Sequence, residues 1–185
     1  MTDPRIEKLV NDLAAAKNEH HLLTTGESSP QQLGPPATPT QIAKLERRLG
    51  VLPPSYRAFL ELHDGWARFD GEARILSSED YDDDWVSERI ADLGAAAEDA
   101  GAANPFKTGP PIVLGASEQN FVILELANGL PGTERELVSY DLQEELCRFP
   151  DFAAFLAHEL GLVRAMIRIE SDDRSARPVA TEEPE

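Results

Sequence analysis

The sequence predicts an α+β fold, with a central, mainly antiparallel sheet and flanking helices. Three observations point there. Amphipathic patterns of helical period open and close the chain. Segments of strand character cluster instead of alternating with helices, which argues against a parallel βαβ architecture. Short turns join the later strand segments, as in an antiparallel meander.

Residues 4–25 carry the first predicted helix, with Ile6, Leu9, Val10 and Leu13 at helical spacing and Glu7, Lys8 and Asp12 between them. His20 and His21 lie near its end. Adjacent histidines diverge on a helix, whereas helical metal-ligand pairs use i, i+4. They read as surface side chains near a C-terminus, where the helix dipole favours cations. Residues 25–37, TGESSPQQLGPPA, read as a loop.

Residues 38–66, TPTQIAKLERRLGVLPPSYRAFLELHDGW, carry two short helices with nearly complete punctuation. Thr38 is the predicted N-cap, Pro39 suits the first turn, and Gln41 completes a capping box. Ile42, Leu45 and Leu49 share a face, and Gly50 is expected to end the helix in the left-handed region. Pro53 and Pro54 open the second helix. Tyr56, Phe59, Leu60 and His63 form its apolar stripe, and Asp64-Gly65 turns the chain out. Helices this short need a sheet or further helices to cover them. Tyr56 and Trp66 are the expected anchors.

Asp70-Gly71 signals a hairpin, with Phe69, Ile75 and Leu76 as its apolar contributions. Val86, Ile90 and Leu93 predict a helix starting near Asp83 or Asp84 and ending at Gly94. A small-residue loop follows. Strands are expected near residues 112–114, 120–126 and 136–140. The stretch ELCRFPDF reads as a strand-to-helix passage, and Pro150 opens the last helix. Phe152, Phe155, Leu156, Leu160 and Val163 make its buried side. It either continues past Gly161 through Met166 and Ile169 or gives way to a short extra element. Residues 171–185 read as a disordered acidic tail. Three parts are expected: residues 1–35, helix and linker; residues 36–170, the domain; residues 171–185, the tail.

Composition narrows function. The 185 residues carry 17 Lys and Arg against 34 Asp and Glu, a formal net charge of −17. Such a surface repels nucleic-acid phosphates and anionic membranes, and it steers in a basic protein partner. Acidity also serves plain solubility. A single cysteine, Cys147, forms no intramolecular disulfide. With no signal pattern and no apolar run of membrane length, the chain reads as cytoplasmic.

No catalytic constellation stands out, and the expectation is a protein without enzymatic activity, metal or cofactor. Asp80, Asp82 and Asp84 match the opening of a calcium loop. That loop then needs Gly at its sixth position and Glu at its twelfth, where Trp85 and Ala91 stand. His158-Glu159 lacks the second histidine of a zinc-protease helix, and Ser117 lacks the flanks of a nucleophile elbow. The acids near Asp80 have two readings. One is a plain helix cap. The other is a partner-facing patch of Asp80, Tyr81, Asp82, Asp83, Asp84, Trp85 and Glu88, since aromatics among charges resemble interface hot spots.

The stretch LERRLGVLPPSYRAFLELHDGW resembles the SUKH superfamily, which includes fungal cell-wall-synthesis regulators and many bacterial toxin-immunity proteins. The residues that carry the resemblance are Leu45, Glu46, Leu49, Gly50, Leu52, Pro53, Tyr56, Arg57, Phe59, Leu60, Asp64, Gly65 and Trp66. It extends in layout over residues 36–162. It implies an α+β domain with helices around a central sheet, no enzymatic activity, and neutralisation of a cognate toxin, often a nuclease, by direct binding. A regulatory scaffold for cell-wall or signalling proteins is the alternative it implies.

Overall fold

The computed structural model describes residues 3–71, 73–82, 84–99, 101, 104, 112–116, 122–126, 130–141 and 144–176. In chain order the elements are α1 (Pro4–Thr25), β1 (Gln32–Leu33), α2 (Pro39–Leu49), α3 (Pro54–Leu62), β2 (Trp66–Asp70) and β3 (Ala73–Ile75). A 3-10 turn at Asp80–Asp82 leads into α4 (Asp84–Asp99). Then follow β4 (Ile112–Ala116), β5 (Val122–Leu126), β6 (Leu137–Asp141), β7 (Glu144–Phe149) and α5 (Phe152–Ala176). The strands form one sheet in chain order, each antiparallel to the next. This is the α+β architecture that the clustering of strands predicts.

Local chemistry starts the helices. The Asp3 carboxylate accepts from the Arg5 N–H at 2.8 Å and caps α1. Thr38 and Gln41 form the reciprocal capping box of α2. Asp151 caps α5 through the Ala154 N–H at 2.6 Å. Gly50 ends α2 differently from expectation: its φ of 85° is positive, but its ψ of 179° is extended, so it is not a left-handed cap. His63 is not part of the α3 stripe either. It sits at the C-cap, with Nδ1 3.0 Å from the Gly34 carbonyl.

Four further departures from the sequence reading have tertiary causes. Leu33 pairs with Trp66, which makes a two-residue strand inside the expected loop. The strand-to-helix passage before Pro150 is a full strand, with Phe149 opposite Leu137. Gly94 does not end α4. It is buried in the helix interior, where an added Cβ would lie 2.6 Å from the Asn104 side chain. Finally, α5 runs through Gly161 to Ala176, beyond the Ser171 boundary expected for the tail.

The core is one cluster. Helix residues Ile6, Leu13, Ile42, Tyr56, Phe59, Leu60, Phe152 and Leu156 meet Trp66, Phe69, Ile75, Leu137 and Phe149 from the sheet. Aromatic rings dominate its centre: Phe59 and Phe152 lie 5.3 Å apart, and Trp66 meets Phe69 edge-on at 5.1 Å. Helix α1, outside the resemblance, contributes Ile6, Val10, Leu13 and Ala16 to this core. It packs along α5 in parallel. Arg5 lies 3.9 Å from Asp151, Arg164 lies 3.3 Å from Asp12, and Arg174 donates to the Leu23 carbonyl.

Candidate functional site

The turn after α3 ties three segments together. Asp64 accepts from the Ser78 N–H and hydroxyl, both at 2.6 Å, and from Gln41 Nε2 at 3.3 Å. Gln41 thus serves the α2 capping box and the turn at once. Gly34 donates to the Gly65 carbonyl at 3.0 Å. Gly65 has a φ of 87°, and a Cβ there would lie 2.9 Å from the Ser77 nitrogen, so this position excludes a side chain twice over. These motif residues build the frame from which the acidic segment departs.

The acidic segment divides into an inward and an outward part. Asp80 turns back to the chain, accepting from the Ser77 N–H at 2.7 Å and its hydroxyl at 2.8 Å. Arg74 Nη1 lies 3.5 Å from its other oxygen. Tyr81 is only 5% exposed, and its hydroxyl lies 3.2 Å from that of Tyr56. The expectation of an exposed Tyr81 beside the acids is therefore corrected. Its ring completes the core under the 3-10 turn, and its hydroxyl finds a partner there, as a buried phenol requires. Burial also pushes the Tyr81 phenol well above the usual tyrosine range.

Asp82 faces outward but is engaged with α2. Lys44 Nζ bonds one carboxylate oxygen, and Arg48 Nη1 lies 3.5 Å from the other. The hydrogen bond from Lys44 holds the Asp82 carboxyl below its ordinary range. Asp84 and Glu88 are exposed on α4. Asp83 and the Trp85 side chain lie outside the described residues.

The sequence reading did not single out Asp92, which lies within the helix it expected, and it missed Glu98 and Asp99 because it ended the helix at Gly94. Continued to Asp99, α4 exposes Asp84, Ser87, Glu88, Ala91, Asp92, Ala95, Glu98 and Asp99. These positions span roughly 140° of the helix circumference at 3.6 residues per turn. Among them are five carboxylates and no cation. The arrangement works against the helix itself. Glu88 follows Asp84, and Asp92 follows Glu88, at the i, i+4 spacing where like charges destabilise. Glu98 and Asp99 stand at the end where the dipole disfavours anions, and the last turn holds no basic residue. Only Asp84, in the first turn, suits a capping role.

Among the described residues, no group of three or more His, Cys, Asp or Glu side chains is placed to hold a metal ion. No described helix is long and apolar enough to cross a membrane. Cys147 is free and exposed on β7.

A search of curated proteins gives no match. A family profile, the SMI1 / KNR4 family (SUKH-1), matches residues 36–158. The match spans the helix pair, strands β2 to β7 and the first turns of α5, and on that extent the chain belongs to the SMI1 / KNR4 family (SUKH-1).

Proposed function

We propose that this protein binds another protein without catalysing a reaction, and that it acts as an immunity protein. In this reading it neutralises a cognate bacterial toxin in the cytoplasm by covering the toxin's basic, substrate-gripping surface. A nuclease fits best, because a surface built to hold phosphates is one that an acidic helix can mask. Family membership is consistent with an immunity or a regulatory role. The observation that carries the reading is the outer face of α4, where five carboxylates are exposed and four of them, Glu88, Asp92, Glu98 and Asp99, stand where like-charge spacing or the helix dipole disfavours them. A face that destabilises its helix calls for an external reason.

The proposed contact set rests on exposure along α4. Asp84 and Glu88 lead it, and Asp92, Glu98 and Asp99 extend it. Asp82 extends it just before the start of the helix, and Asp83 and Trp85 are kept in the proposal on the sequence pattern alone. Asp80 and Tyr81 belong to the frame. The test is a pull-down from the native host with the intact protein beside a variant carrying Asp84→Lys, Glu88→Lys and Asp92→Lys. The expected result is a basic protein that the first retains and the second loses in moderate salt. Co-expression should relieve that protein's toxicity. A retained partner that is not toxic would favour the scaffold reading, with cell-wall or signalling proteins as its clients. Equal retention by both baits would move the contact away from α4.

A further inference from the structure

A cleft of about 290 Å³ lies between the C-terminal half of α1 and the β2–β3 hairpin, with no residue of α4 in its lining. Its lining reverses the sign of the rest of the molecule. Lys17, His20 and His21 come from one face of α1 at i, i+3 and i+4, and Arg68 comes from β2. In a chain with twice as many acidic as basic residues, four basic side chains share one recess. Asp70 is the only carboxylate in its lining. From α5, Glu159 also acts electrostatically on Lys17.

Two features of β2 place Arg68 there. The pairing with β3 shifts register between Trp66 and Asp70, and the burial pattern breaks alternation so that Ala67 and Arg68 are both exposed. A bulge of this kind re-aims a side chain. Arg68 also has a φ of 55°, the only positive φ at a non-glycine position among the described residues. A long side chain held there is strained, and such strain collects at ligand sites. Lys17 is poised as well. Its Nζ lies 4.6 Å from the centroid of the Phe69 ring, and burial pushes its ammonium below the usual lysine range. Among the described residues, none of the four basic groups has an acidic partner within 4.0 Å.

We infer that this cleft is a binding site for a small, multiply charged oxyanion, held by Lys17 and Arg68 and flanked by His20 and His21. A phosphate ester and a polycarboxylate present the same chemistry to such a site. Charge-assisted bonds from the guanidinium and ammonium would replace the water that Lys17 has lost. No α4 residue lines the cleft, so the inference does not depend on the immunity reading.

The test is a titration of the full chain, followed by NMR of its four histidine side chains, at constant ionic strength. Inorganic phosphate is the probe in one arm and citrate in the other. The expected result is saturable shifts of His20 and His21, with His63 unmoved, in at least one arm, and the stronger arm names the ligand class. Arg68→Gly is the informative variant, because glycine adopts the positive φ freely and the fold is retained. Loss of one charge-assisted contact should weaken binding about tenfold or more. Lys17→Gln should weaken it similarly, and Arg68→Lys less. Shifts that stay linear in both arms, that move all histidines alike, or that persist unchanged in Arg68→Gly would overturn the inference.

Discussion

Tyr56 and Tyr81 show how one pair of hydroxyls anchors a whole segment. Both phenols are buried, and each hydroxyl has the other as a partner. Burial, as the leading cause, raises both above the ordinary range. In the unfolded chain tyrosine loses its proton near pH 10. Above that pH the unfolded state therefore binds fewer protons than the native state, and stability falls as pH rises. The contribution is fully present below pH 10. An absorbance titration at alkaline pH should show at most one of the three tyrosines ionising before the protein unfolds. Ionisation of two or three with the fold intact would contradict the burial of the pair. Asp64 is the other residue on which the segment turns. Asp64→Ala orphans the Ser78 N–H and hydroxyl, and Ser78 is 8% exposed. Orphaned buried groups cost about 1–3 kcal/mol each. Urea denaturation should show a loss of about 2–4 kcal/mol on this basis. A loss under about 1 kcal/mol would mean that water replaces the carboxylate without penalty.

At the scale of elements, α4 separates stability from function by sign. Asp92→Lys replaces a like-charge spacing with a Glu88–Lys pair of the favourable orientation, and Asp99→Lys puts a cation where the dipole favours one. The two together should raise stability by about 0.5–1.5 kcal/mol, read as a higher denaturation midpoint with an unchanged slope. The same substitutions should weaken binding of a basic partner. If the acids served only the helix, both readouts would fall together. This face was half legible in the sequence. The first-turn acids were readable because N-terminal charge is a local signal. Glu98 and Asp99 were hidden by Gly94, which is a helix stop on local rules but here makes room for Asn104. The α2 capping box was fully legible because its partners lie three residues apart. Strand β1 was not, because two residues become a strand only when Trp66 and Ala67 arrive beside them. The burial of Tyr81 was equally out of reach, since its partner stands on another helix.

The whole molecule depends on a helix that the family match leaves out. The match begins at residue 36, yet α1 contributes Ile6, Val10, Leu13 and Ala16 to the single core. Its parallel packing on α5 covers a helix that carries Phe155, Leu160 and Val163 on its buried side. A chain that starts at residue 36 would lose Ile6, Val10, Leu13 and Ala16 from the core and uncover the part of α5 that α1 packs along, and burial of one large apolar side chain is worth roughly 1.5–3 kcal/mol. Several together equal the total stability of a typical domain, roughly 5–15 kcal/mol. The truncated chain should therefore lose cooperative thermal unfolding and expose apolar surface to a dye such as ANS. Truncation alone could fail for trivial reasons, so a point substitution gives the finer measurement. Leu13 is fully buried, and Leu13→Ala should cost about 2–5 kcal/mol while leaving the α4 face and its partner binding intact. A cost below about 1 kcal/mol, together with cooperative unfolding of the shortened chain, would make α1 an appendage and leave the matched region to fold on its own. The expected pair of results instead makes α1 the element that closes this member's core, built from residues on which the helix-pair motif places no demand.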